Sequence, residues 1–290
     1  MIGVLTLAFQ IGAAQIAPPT TRAGEAAAAP KADAKRVTGS RPPSTAEKGA
    51  PRVVVVDAGH GGPDNGMVGP IGKGPKIVEK TVTLAVAKLV GETLTHRGLK
   101  VVYTRTTDTL IALSDRGRIA NAAHGSLFIS IHVNAANPGW DDPAAARGFE
   151  TYFLSDAKTD DARRVADMEN QSTRFENTAP VAKDDPLNFI LTDMAQNEYL
   201  RESSELADMI QTSLARMHPG TNRGVKQADF RVLVTAYMPA VLVEIGFGTN
   251  PAEAAYLTNP AKQQAIAGAI ADAAVAYLDR YERRISGSPP

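Results

Sequence analysis

Four consecutive valines, Val53 to Val56, run directly into Asp57-Ala-Gly59-His60-Gly61-Gly62. A β-branched run without polar alternation suits a strand covered on both faces, as in the parallel sheets of α/β domains. Such sheets gather their ligands beyond the carboxyl ends of the strands. The glycine-rich turn therefore delivers His60 to that edge. Two later stretches repeat the pattern: Leu127 to Asn134 ends an apolar run in His132, and Ala240 to Phe247 ends one in Glu244. If these strands lie parallel, three polar groups face one crevice.

The intervening chain supports that arrangement. From Glu79-Lys80 onward, Val82, Ala85, Val86, Leu89 and Val90 recur at helical spacing, and Gly98 suits a left-handed cap. Lys100 to Arg105 reads as a strand, Ser114 as the N-cap of a helix running to Gly125, and Gly148 to Leu154 as a fourth strand near a sheet edge. Alternating strands and helices predict a right-handed parallel sheet with helices on both faces. Residues 155–203 break the rhythm, because a short return helix is expected and roughly two helices' worth of chain intervenes. This reads as a helical insert. Its first part, Asp160 to Glu176, has Val165, Met168 and Phe175 on one face with Glu169 beside them; its second, Pro186 to Met194, repeats Leu187, Ile190, Leu191 and Met194. Ser203 to Met217 reads as an amphipathic helix on the sheet, and Asp229 to Val234 and Ala240 to Phe247 as the last strands. Asn250-Pro-Ala-Glu253 opens a helix, and Pro260 to Tyr281 closes the domain.

Residues 1–17 are almost wholly apolar, with small residues at Gly12-Ala13-Ala14, and read as a secretory signal peptide that lacks a basic start. Alanine, proline, threonine and serine dominate 18–50, a flexible linker, and 51–285 form one domain. After processing, no stable membrane span is expected. Lysine plus arginine and aspartate plus glutamate stand at 31 each, so no global field draws the chain to nucleic acid or an anionic membrane. With no cysteine, histidine and carboxylate are the only strong ligands available to zinc.

A catalytic zinc site takes three nitrogen or oxygen ligands and keeps one position open, and His60, Glu79 and His132 would supply such a set. Glu244 would then move the proton of the attacking water. Each residue also has a plainer reading. His60, in a glycine turn, alone suits a backbone bond, His132, at a strand end, suits a satisfied core residue, and Glu79 suits the positive end of a helix. Glu244 shifts the balance, since a carboxylate inside an apolar strand is expensive unless it is paired, ligated or functional. His96, His124 and His218 fall near predicted helix ends and read as cap or surface residues. The turn Gly59 to Gly62 lacks the nucleotide-binding fingerprint.

Taken together, Val56-Asp-Ala-Gly-His-Gly-Gly62, Glu79-Lys80, Tyr103-Thr-Arg105, Arg118-Ile-Ala-Asn121, Phe128-Ile-Ser-Ile-His-Val-Asn134, Gly148-Phe-Glu-Thr-Tyr152 and Val241-Leu-Val-Glu-Ile-Gly-Phe247 resemble the zinc-dependent N-acetylmuramoyl-L-alanine amidases with a type-3 catalytic domain. The resemblance covers Val53 to Tyr281 in the family's order. It implies a twisted, mostly parallel six-stranded sheet with flanking helices, one zinc ion on His60, Glu79 and His132, and Glu244 as the catalytic glutamate. The implied reaction hydrolyses the amide between N-acetylmuramic acid and L-alanine in peptidoglycan, in the periplasm, during wall remodelling or daughter-cell separation. The insert resembles the segment by which Gram-negative division amidases plug their zinc cleft until an activator protein displaces it. A carboxylate of the insert, with Glu169 the first choice, is then expected to mask the open zinc position. No amino-terminal targeting domain and no wall-binding repeat is expected. A zinc exopeptidase and a catalytically silent wall-binding protein are the alternative readings.

Overall fold

A computed structural model describes residues 52–176 and 186–286, the side chains of 186–198 excepted. The signal-peptide and linker readings, and the apolar face assigned to Pro186 to Met194, lie outside what is described. The chain forms β1 (Val53–Ala58), a small antiparallel pair of β2 (Val68–Gly69) and β3 (Ile77–Val78), α1 (Glu79–His96), β4 (Lys100–Tyr103), α2 (Leu113–Ala122), β5 (Leu127–Asn134) and β6 (Phe149–Leu154). There follow α3 (Asp160–Asn170), a 3-10 turn over Gln171–Phe175, α4 (Pro186–Ala215), β7 (Asn222–Ala228), α5 (Arg231–Val234), β8 (Ala240–Phe247), α6 (Pro251–Leu257) and α7 (Pro260–Ser286). Among the described residues, no helix is long and apolar enough to cross a membrane.

The six-stranded sheet has the order β4-β1-β5-β8-β6-β7, and every pairing is parallel except that of β6 with β8. The carboxyl ends of β1, β5 and β8 therefore share one edge with the amino ends of β6 and β7. Alternation along β1 divides the core: Val54 and Val56 join Ile129, Val243, Val86 of α1, Leu206 of α4 and Ile270 of α7 on one face. On the other, Val53 and Val55 join Phe128, Tyr152, Leu242 and Val165 of α3. A fully buried valine contributes about 1.5–3 kcal/mol, so the valine run is stable only as a two-faced strand.

Three expectations need correction. Asp229 to Val234 is not a strand. The sixth strand is the preceding Asn222–Ala228, a polar edge strand whose cations are neutralised by carboxylates rather than by water, and Arg231–Val234 is a single helical turn. Helix α2 begins at Leu113 with Ala112 in the cap position, and Ser114 lies inside it. The missing cap comes from elsewhere in the chain: Glu176 Oε1, at the end of the 3-10 turn, accepts from the Leu113 N–H at 2.8 Å.

His218 is neither cap nor surface. It is buried, stacks edgewise on Tyr256, accepts from the Gly220 N–H at Nδ1, and places Nε2 3.0 Å from the Ile245 carbonyl. Burial pushes its pKa down to about 4. Since the unfolded imidazole titrates near its ordinary value, the stability it contributes is present above about pH 6.5 and lost as pH falls through 4. In thermal unfolding, the margin of the parent over His218→Gln is expected to shrink steadily between those two pH values. His96 and His124, by contrast, are exposed at the ends of α1 and α2.

Candidate metal centre

The loop after β1, the start of α1 and the end of β5 bring His60, Glu79 and His132 together, and α3 of the insert adds Glu169. Facing ligand atoms of these four buried side chains all lie within 4.8 Å of one another. His60 Nε2 is 3.1 Å from Glu79 Oε1 and 3.0 Å from Glu169 Oε2. His132 Nδ1 is 3.2 Å from Glu79 Oε1 and 2.8 Å from Glu169 Oε2. Despite these separations, His60 Nε2, His132 Nδ1 and Glu169 Oε2 have no hydrogen-bond partner. Atoms this close that do not hydrogen-bond to one another are aimed at a shared point, which is how ligands surround a cation. Two imidazole nitrogens and two carboxylate oxygens make a donor set suited to zinc.

Each side chain is held from behind. His60 sits in a left-handed conformation (φ 60°) with its carbonyl accepting from Arg116 Nη2 at 2.9 Å, and its Nδ1 is 2.8 Å from Asp64 Oδ2. That carboxylate fixes the ring's tautomer and turns Nε2 toward the cluster. Glu79 stands in the first turn of α1, as expected, and also accepts from the backbone N–H groups of Val133 (Oε1) and Met67 (Oε2), both at 2.8 Å. Glycine clears the space: a Cβ on Gly59 would lie 2.5 Å from Cε1 and Nε2 of His132. Gly59→Ala is therefore expected to swing that ring and weaken metal binding by about 10–100-fold, the range seen when a ligand's support is lost. Chelator competition measures it.

Burial alone would lower the histidines, but Glu79 and Glu169 override it: His132 rises to about 9 and His60 also rises well above its ordinary value. Burial likewise opposes ionisation of both carboxylates, and the facing imidazoles still hold them below the usual range. The cluster thus behaves as a cage of negative charge that binds protons or a cation.

Glu244 stands apart from the four. It pairs in register with His132 on one side and Glu150 on the other, is fully buried, and neither of its oxygens has a hydrogen-bond partner. Burial, then the charges of Glu169, Glu79 and Glu150, raise its pKa well above the carboxylate range. An unpartnered buried carboxyl costs about 1–3 kcal/mol, a cost a fold retains for chemistry rather than for stability.

Several supporting residues escaped the sequence reading. Asp57 is buried and accepts from Arg116 Nη1 (2.9 Å), Ser130 Oγ (2.6 Å) and Thr104 Oγ1 (2.5 Å). Arg116 and Arg105 together hold the carbonyls of Ala58, Gly59 and His60, the loop that presents the first histidine. Ser172, in the turn after α3, donates to Asp64 at 2.7 Å, and Asn170 bridges Asp229 and Arg231. The insert is thus pinned beside the cluster at several points. The cue for Arg116 and Arg105 was present, since arginines near short strands can serve buried carbonyls; nothing local marked Ser172.

With the geometry in place, comparison with known proteins gives a consistent result. A family profile described as N-acetylmuramoyl-L-alanine amidase matches residues 54–276. The amidase AmiA of Escherichia coli (strain K12) is 35% identical over 252 residues, 86% of this chain and 84% of that protein. Among solved structures, an N-acetylmuramoyl-L-alanine amidase from Clostridium difficile 630 superposes with a TM-score of 0.58 at 29% identity, covering 79% of this chain and 97% of that one. The CwlD amidase of Clostridioides difficile, solved in complex with the GerS lipoprotein, gives 0.56 at 25% identity over 79% and 98%.

Proposed function

The chain belongs to the N-acetylmuramoyl-L-alanine amidase family, and we propose that it is a zinc-dependent peptidoglycan hydrolase, held closed in the form described here. The observation that carries this reading is the aimed but unbonded set of His60 Nε2, His132 Nδ1 and Glu169 Oε2 around Glu79. His60, Glu79 and His132 would hold the ion. Zinc bound there would act as a Lewis acid, acidifying water and polarising an amide carbonyl.

The protein's own residues account for the rest. Glu244, unpartnered in a dry strand, takes the proton from the water that attacks the lactyl carbonyl and passes it to the departing nitrogen of L-alanine. The C–N bond breaks, leaving a lactyl carboxylate on the sugar and a free amine on the peptide. Asp64 and the backbone donors of Val133 and Met67 keep the ligands in place while charge shifts.

Glu169 supports an autoinhibited form. Its carboxylate, 3.0 Å from His60 and 2.8 Å from His132, would supply a fourth protein ligand where a catalytic site leaves a position for water. Displacing α3 is then the activating step, and a protein partner is the natural agent. The neighbouring CwlD amidase was solved in complex with the GerS lipoprotein, which is consistent with a protein partner for this chain as well. Export to the periplasm, after removal of 1–17, completes the reading, as does a role in daughter-cell separation.

The test is direct. The zinc-loaded chain and its Glu169→Ala variant are incubated with purified peptidoglycan, and the soluble products are identified by mass spectrometry. Peptides with an L-alanine amino terminus, and sugar strands stripped of peptide, are expected. A folded, metal-loaded Glu169→Ala variant that releases neither would overturn the assignment.

A further inference from the structure

The strand missed in the sequence, β7, carries two cations that the mechanism has not used. Arg223 and Lys226 lie mostly within the protein, their side chains 24% and 19% exposed. Glu150, fully buried and paired in register with Glu244, holds them both: its Oε2 accepts from Arg223 Nε at 2.9 Å and Lys226 Nζ at 2.5 Å. Its Oε1 is already served by Asn134 Nδ2 at 2.6 Å and the Tyr152 hydroxyl at 2.8 Å. One cation would neutralise this carboxylate. The second is surplus, and what answers it is Asp161 of the insert, whose Oδ2 lies 3.1 Å from both Arg223 Nη2 and Lys226 Nζ while its Oδ1 pairs with Arg164 of the same helix at 3.1 Å.

Asp161 and Glu169 sit on one helix, eight residues and about 12 Å apart along its axis. A rigid helix that withdraws Glu169 from the metal position also withdraws Asp161 from the cations. Two positive groups then face one carboxylate, beside the reacting edge. Arg223 is already oriented there, its guanidinium 4.9 Å from the ring of Phe247, three residues beyond Glu244 on β8. An extended peptide advances about 3.3–3.6 Å per residue, so a carboxylate on the residue after L-alanine spans much of that 12 Å once its own length is added.

We propose that Arg223 and Lys226 form a carboxylate subsite that binds the acidic residue of the stem peptide, and that Asp161 fills it in the closed form as Glu169 fills the metal position. The substrate class rests on the amidase reading; the subsite itself does not need turnover to be observed. A purely structural salt bridge would give the same contacts but no preference among peptides.

The experiment is calorimetric titration of the full zinc-loaded chain with L-alanyl-γ-D-glutamyl-L-lysine and with the same peptide amidated at the glutamate α-carboxylate. Asp161→Asn removes the internal occupant with little change of shape. It is expected to bind the acid peptide about tenfold more tightly than the parent does, and the amide no more tightly. Adding Lys226→Gln, the milder loss because Arg223 still covers Glu150, should cancel the gain. Equal tightening for both peptides, no tightening, or a gain that survives Lys226→Gln would overturn the subsite. Peptidoglycan hydrolysis by Glu169→Ala, followed in parallel, decides the amidase reading separately: absence of release strikes that reading, while acid-selective binding still supports the subsite.

Discussion

Glu244→Gln is expected to keep its metal and lose about 10²–10⁴ of its turnover, the range that proton transfer by a positioned side chain contributes. The substitution preserves shape at a fully buried site and removes only the capacity to take up a proton. Stability should barely change. In the parent, burial and the neighbouring charges of Glu169, Glu79 and Glu150 already push this group toward its neutral form, and its oxygens are unpartnered, so a neutral amide replaces a group that is no better satisfied. Metal content is expected to match the parent, because Glu244 is not one of the four residues whose ligand atoms cluster. Mass-spectrometric metal analysis, thermal unfolding and peptide release, measured on one preparation, separate these effects. Activity within about threefold of the parent would place the proton acceptor elsewhere.

The parts of this site that were readable from sequence are those where burial and polarity conflict locally. A valine run that stops at His60, an apolar strand that ends in His132 and a glutamate inside Ala240–Phe247 each violate the expectation that buried strands are apolar, and each proved to lie at one sheet edge. Glu79 was harder, since a carboxylate in a first helical turn has an ordinary explanation. The geometry keeps Glu79 in that first turn and adds what no local pattern shows, the N–H groups of Val133 and Met67 donating to it. Strand β7 failed for the opposite reason. Asn222–Ala228 has no apolar period because its cations are neutralised by Glu150, some 70 residues earlier, and by Asp161 on the insert. Pairing over that separation leaves no trace in a local pattern. Likewise Leu113 needs no neighbouring cap when Glu176 supplies one from across the fold.

Glu169→Ala is expected to raise peptidoglycan release by at least about tenfold, equivalent to ~1.4 kcal/mol. Two effects act in the same direction. The substitution removes the carboxylate that lies 2.8 Å from His132 and 3.0 Å from His60, clearing the position a reacting water requires. It also removes what is, after burial itself, the largest influence opposing ionisation of Glu244. Against these stands a weaker hold on a metal ion, since one of the four clustered side chains that could bind it is gone, so the assay is run with zinc in excess. Helix α3 itself should stay docked. Ala162, Val165 and Ala166 are buried against Tyr152, Phe128 and Leu242, and Asn170 and Ser172 keep their own partners. A buried valine alone is worth about 1.5–3 kcal/mol, which is why deleting 155–185 is the poorer experiment: it would uncover one face of the sheet along with the His60, Glu79 and His132 cluster. The point variant therefore opens the coordination position without opening the whole cleft, and an activator that lifts α3 should stimulate it further. If the variant binds metal but hydrolyses no faster than the parent, Glu169 does not restrain the enzyme and the insert is a packing element.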